Sequence, residues 1–152
     1  MGKIGSVMPL DKILFAYPTL LREGMPASRI YTPEPLVTGI KGNSIQSFVV
    51  TAGLALETNK FVVTELDILF EGKGMVLDSG ETGKVEHPIR KIIKNQQVIY
   101  LSSMFVNQVE ISKSGCYEIH ISVYLLNSEH EKTETIVDKH SSFFYVLTEE
   151  DE

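Results

Sequence analysis

Between Lys113 and Leu125 the chain alternates with a period of two. After Gly115-Cys116, the residues Tyr117, Ile119, Ile121, Val123 and Leu125 fall on one side and Glu118, His120 and Ser122 on the other. Extended backbone sends successive side chains to opposite faces, whereas a helix would gather apolar residues three and four apart. The dry side is also rich in β-branched residues, which suit a pleated surface. A strand with one dry face needs a second layer to cover it, so this pattern constrains the chain to a layered β architecture.

Other segments read the same way. From Ile45 onward, Phe48, Val50, Ala52, Leu54 and Leu56 share a face, which predicts a long strand kinked or bulged near Gly53. Val62, Thr64, Leu66, Ile68 and Phe70 share another, with Glu65 and Asp67 opposite. The polar residues Glu57, Thr58, Asn59 and Lys60 lie between the two runs, which predicts a hairpin. Residues 71–88 are a glycine-rich excursion with room for a short strand at Met75, Val76 and Leu77. Pro88, then Ile89, Ile92 and Ile93 at helical spacing, predict a short crossover helix over 88–95. Residues 97–109 read as an extended run buried on both faces, and short strands follow over 133–137 and 143–147. No fixed-period repeat is present, which argues against solenoids and propellers.

Five of the six prolines (Pro9, Pro18, Pro26, Pro33 and Pro35) lie in the first 35 residues. Proline cannot donate to a sheet ladder, so central strands are not expected there. The segment is nevertheless apolar (Ile13, Leu14, Phe15, Leu20, Leu21), so residues 1–43 are expected to form an arm that packs on the domain or on a partner. The predicted organisation is this arm, a sandwich over 44–148 and an acidic tail at 149–152. The fold class is all-β: a two-layer antiparallel β-sandwich of seven or eight strands.

At 152 residues the chain suits one domain. Its net charge of −6 sits in the last third, where ten acids face three lysines. That balance argues against nucleic acid as a partner, because phosphate affinity comes mainly from Lys and Arg. The single cysteine, Cys116, cannot form an intramolecular disulfide and stands beside Glu118 rather than in the electropositive setting of a reactive thiol. No apolar run approaches the 18 or so residues of a membrane span, so the expectation is a cytoplasmic protein without a membrane partner. Met1 to Ser6 fits the loose form of a myristoylation signal, a short pattern that arises often by chance.

Little in the sequence converges on catalysis. Residues 78–85 only imitate a phosphate loop, with Asp78 and Val85 where the motif requires Gly and a hydroxyl. The histidines His87, His120, His130 and His140 show no zinc-ligand spacing, so neither metal nor cofactor is expected. Glu129, His130 and Glu131 fall on a predicted turn, and Glu65 and Asp67 on an outward strand face. The one compact basic group is His87, Arg90, Lys91 and Lys94, a candidate site for an anion or an acidic partner.

The Gly115-x-Tyr117 step resembles the tyrosine corner of immunoglobulin-like sandwiches, in which the phenol hydroxyl bonds back to nearby backbone. The resemblance covers the last two thirds of the chain and implies structural roles for Gly115 and Tyr117. Antibody domains carry paired cysteines and a buried Trp that are missing here, so antigen-receptor function is not implied. Asn59-Lys60-Phe61, with the late Gly-x-Tyr and Phe-x-Val steps, is also similar to small bacterial proteins of sandwich type. Such folds host many functions. The expected function is a non-enzymatic protein-interaction or assembly module, with a protein partner or a homo-oligomer. The alternatives are a small-ligand or carbohydrate binder using Tyr100, Tyr124 and Phe144, and an enzyme whose site assembles only in three dimensions.

Overall fold

The computed structural model describes residues 11–57, 59–77, 82–92 and 96–152. Among these, nine strands follow one another: β1 (Lys12–Leu20), β2 (Leu36–Ile40), β3 (Ser44–Glu57), β4 (Val62–Phe70), β5 (Lys73–Gly74), β6 (Thr82–Ile92), β7 (Gln97–Ile111), β8 (Gly115–Leu126) and β9 (Lys132–Thr148). A 3-10 turn at Glu149–Asp151 ends the chain. One sheet has the order β1-β3-β7-β6 and the other β2-β9-β8-β4-β5. All pairings are antiparallel except that of β2 with β9.

This is the two-layer β-sandwich that the alternation predicts, with the strand order of the immunoglobulin fold. Strands β1, β3, β7 and β6 occupy the places A, B, E and D of its ABED sheet, and β4, β8 and β9 those of C, F and G. The inward residues of both sheets form one core. Phe48, Val50, Ala52 and Leu54 of β3 and Met104 and Val106 of β7 meet Tyr117, Ile119, Ile121 and Val123 of β8, Ile68 of β4 and Phe144 of β9.

The strands expected over 133–137 and 143–147 are one, β9, and the excursion expected over 71–88 gives way to β6 from Thr82. Three further local expectations change. First, β3 and β4 are not a hairpin: β3 pairs with β1 and β7, and β4 with β8 and β5, so the connection after Glu57 carries the chain from one sheet to the other. Each strand turns one face to the core, and alternation alone does not say whether two such faces lie side by side or across it. Second, residues 88–92 are not helical. They complete β6, which pairs with β7 up to Ile92 opposite Gln97, while 93–95 lie outside the described residues. The register shifts between Pro88 and Arg90, so one extra residue, Ile89, breaks the period of two and imitates helical spacing. Third, the irregularity expected at Gly53 belongs to its neighbour: β1 shifts register between Ile13 and Phe15, and the Phe15 ring lies where a Cβ on Gly53 would stand, 2.5 Å away.

The proline-bearing segment contributes an edge strand to each sheet, β1 to one and β2 to the other. Pro18 is tolerated because an edge strand has one side without a ladder. Residues 21–35 join the two edges and lie against the outer face of the first sheet. Ser103 Oγ bonds the Arg29 carbonyl (3.3 Å), Thr19 Oγ1 that of Thr32 (2.8 Å) and Tyr17 Oη that of Tyr31 (2.6 Å). The segment is closed at its base by Arg22 and Glu34, 2.6 Å apart, and by the Leu20 amide donating to Glu34. This cover explains why Val49, Thr51 and Ser103 are buried although they point away from the core.

Candidate functional site: the open seam between the sheets

One side of the sandwich is closed and the other open. On the closed side β1 leans on β9, and the Ile13 amide donates to Asp138 (2.7 Å). On the open side, among the described residues, β6 is the edge of its sheet, and β4 is paired by β5 only at Leu69 and Phe70, which leaves Val62 to Asp67 without a neighbour on that side. Between these edges runs a groove of about 570 Å³, lined by Val62, Thr64 and Leu66 of β4, Gly83 and Lys84 of β6, and Met104 and Val106 of β7.

The alternation of β7 tells which way the β6 side chains point. Lys84 and Glu86 stand opposite Met104 and Ser102, on the core side, and form an ion pair of 3.4 Å at the rim of the groove. Val85, His87 and Arg90 stand opposite Ser103, Leu101 and Ile99, on the outer side. Beyond the bulge, Arg90 and Lys91 are exposed and make no ion pair among the described residues. The basic group read from the sequence is thus divided: His87 and Arg90 share the outer side, Lys91 lies opposite Val98 toward the core side, and Lys94 falls outside the described residues.

His87 Nε2 is 3.3 Å from Ser103 Oγ, the spacing of a hydroxyl and its base. The arrangement does not make a nucleophile. Ser103 is only 1% exposed and its hydroxyl also reaches the Arg29 carbonyl, while no carboxylate holds His87 among the described residues. His120 stands opposite Asp67, His130 packs its ring edge-on to Phe61 (4.8 Å), and the partly buried His140 stands opposite Ile121. No group of three metal-ligating side chains occurs among the described residues. Burial pushes the Tyr100 phenol up to about 12, with Glu86 adding to the effect, so it does not exchange protons near neutrality. Burial likewise raises Asp67, against the Ile68 amide and His120, which pull it down.

The Tyr117 hydroxyl donates to the Lys113 carbonyl (2.7 Å) and accepts from the Ser112 and Lys113 amides (3.2 and 3.3 Å). Its ring is fully buried, stacked at 4.3 Å on Phe70 and 5.8 Å from Phe144. Gly115 precedes it with φ of +152°, and a Cβ there would stand 2.8 Å from the Phe70 ring. The two residues tie the start of β8 to the turn before it.

The groove residues Val62, Leu66 and Met104 escaped the sequence reading, which assigned them to core faces. They are core-facing, but at a margin where one sheet does not cover the other, and local alternation carries no signal for that. The outward Phe143 and Tyr145, with Leu36 of β2 beside Tyr145, are also exposed, at 62%, 58% and 50%. No helix among the described residues is long and apolar enough to cross a membrane. Neither a scan against protein-family models nor a search of curated proteins finds a match for this chain.

Proposed function

We propose that this protein is a non-enzymatic interaction module that takes an extended segment of a partner protein, or of a second copy, along the free edge of β6. The observation that carries the reading is the coincidence of a strand edge unpaired among the described residues with an open, apolar-floored groove at residues 83 and 84. An added strand gains main-chain hydrogen bonds from the edge and sequence selectivity from pockets for its alternate side chains. Pro88 lacks an N–H and the bulge follows it, which confines addition to residues 82–87 and guards the rest of the edge against uncontrolled pairing. The lone, exposed Cys116, which makes no disulfide, suits a cytoplasmic setting.

The aromatic platform of a carbohydrate binder is not supported. Tyr100 and Phe144 are in the core, and Lys132 Nζ sits over the Tyr124 ring at 4.1 Å. A pocket holding a histidine beside an acid would favour an enzyme; the groove is lined by Glu65 but by no histidine.

The test is to pan a displayed library of linear peptides against the full chain and re-measure the binders on Lys84→Pro and Val85→Pro. N–H groups of adjacent strand residues point to opposite sides, so one of the two substitutions removes the free edge donor while the other damages the ladder to β7. Binders lost in a variant that keeps its circular dichroism and melting temperature support strand addition. Binders indifferent to both substitutions, or no binders at all, refute it.

A further inference from the structure

Resting on strand addition at β6, we propose that the segment taken up is an extended peptide of alternating apolar and acidic residues, its apolar side chains over Met104 and Leu66 and its carboxylates on the outer side that His87 shares with Arg90, beyond the bulge. The shape of the seam argues for an extended occupant. Stacked sheets lie about 10 Å apart, and neighbouring strands are spaced about 4.8 Å. A helix is about 10–12 Å across with its side chains, too wide for the gap, whereas one strand fits beside either edge.

Alternation then fixes the chemistry of each face. A strand lying beside residues 82–87 turns every second side chain toward the groove, whose floor is Val62, Leu66, Met104 and Val106. The other side chains point outward, in line with Val85, His87 and Arg90. Arg90 brings a cation to that side with no ion pair of its own among the described residues, and Lys91 follows it. On the opposing rim Glu65 is paired with Lys132 at 2.7 Å, while Asp67 accepts the Ile68 amide at 2.8 Å and stands opposite His120. In a chain of net charge −6, β6 itself is basic, with Lys84, Arg90 and Lys91 against Glu86. A basic side chain on the partner would meet Arg90 on the outer side, with Lys91 on the core side beyond the bulge adding to the repulsion, so charge sets the choice of partner as well as its approach.

The experiment is NMR titration of the isotopically labelled full chain with two synthetic six-residue peptides, one alternating valine and glutamate, the other valine and lysine. The acidic peptide is expected to shift the amides of residues 82–92 and 62–66, and to bind about tenfold more tightly than the basic one, the order expected for two exposed ion pairs. In the double variant Arg90→Glu, Lys91→Glu, whose original side chains make no hydrogen bond or ion pair among the described residues, the preference should reverse. Equal shifts at β6 from both peptides would overturn the acidic preference and leave strand addition standing. Shifts that avoid β6 and β4 altogether, or none from either peptide, would overturn both.

Discussion

Removing one oxygen from the core tests how the start of β8 is held. Tyr117→Phe keeps the ring between Phe70 and Phe144 and deletes a hydroxyl that makes three hydrogen bonds, one donated at 2.7 Å and two accepted at 3.2 and 3.3 Å. A typical intramolecular hydrogen bond contributes about 1 kcal/mol net, and a buried group left without a partner costs about 1–3 kcal/mol. Lys113 is exposed and Ser112 half-buried, so water can reach the freed backbone groups and the penalty falls at the low end. The expected loss is about 1–2.5 kcal/mol, which for a domain of this size lowers the melting temperature by about 3–8 °C. Tyr117→Leu also removes both ring contacts, worth about 0.5–1.5 kcal/mol each beyond area burial, and should cost distinctly more. Urea unfolding followed by circular dichroism measures both. If Tyr117→Phe lies within about 0.5 kcal/mol of the unsubstituted chain at unchanged slope, the hydroxyl does not pin the strand and the reasoning fails.

Two further perturbations address the segments that join the sheets. Burial raises Glu34, but the hydrogen bond from Arg22, the Leu20 amide and the Arg22 charge outweigh it, and the net shift is downward. Its contribution is therefore complete above its unfolded pKa of about 4.3 and is lost as pH falls through the lower folded value. Thermal melts should fall less between pH 6 and 3 in Glu34→Gln than in the unsubstituted chain; parallel curves would show that Glu34 is not coupled to folding. Asp138→Ala removes the acceptor of the Ile13 amide and should cost about 1–3 kcal/mol while speeding amide exchange across β1; exchange confined to β9 would contradict the proposed tie.

Much of the fold was legible because it is written locally. Tyr117 to Leu125 alternates without a break, and β8 buries Tyr117, Ile119, Ile121 and Val123 of that face as read, with Leu125 half-buried past the register shift, at the centre of its sheet between β9 and β4. The Gly115-x-Tyr117 step is equally local, since its hydroxyl reaches only four and five residues back. Where a bulge interrupts alternation the reading went astray: Ile89 shifts the phase of β6 and makes an edge strand look helical. Proline in residues 1–35 correctly argued against central strands, but it could not tell an arm from two edge strands, because both leave the proline nitrogen without a ladder partner.

Sequence alone therefore determined the class of structure and the inward face of most strands, since a period of two is a property of neighbouring residues. Which sheet each strand joins, that β3 and β4 face each other across the core, and that β2 runs parallel to β9 were decided by tertiary structure, through pairings of residues about 100 apart such as Leu36 with Tyr145. The open seam belongs wholly to that second category. A groove between two edges exists because, among the described residues, β5 pairs β4 only at Leu69 and Phe70 and no strand lies beyond β6 in its sheet. Those are facts about the absence of a neighbour in space, and no pattern within either strand records them.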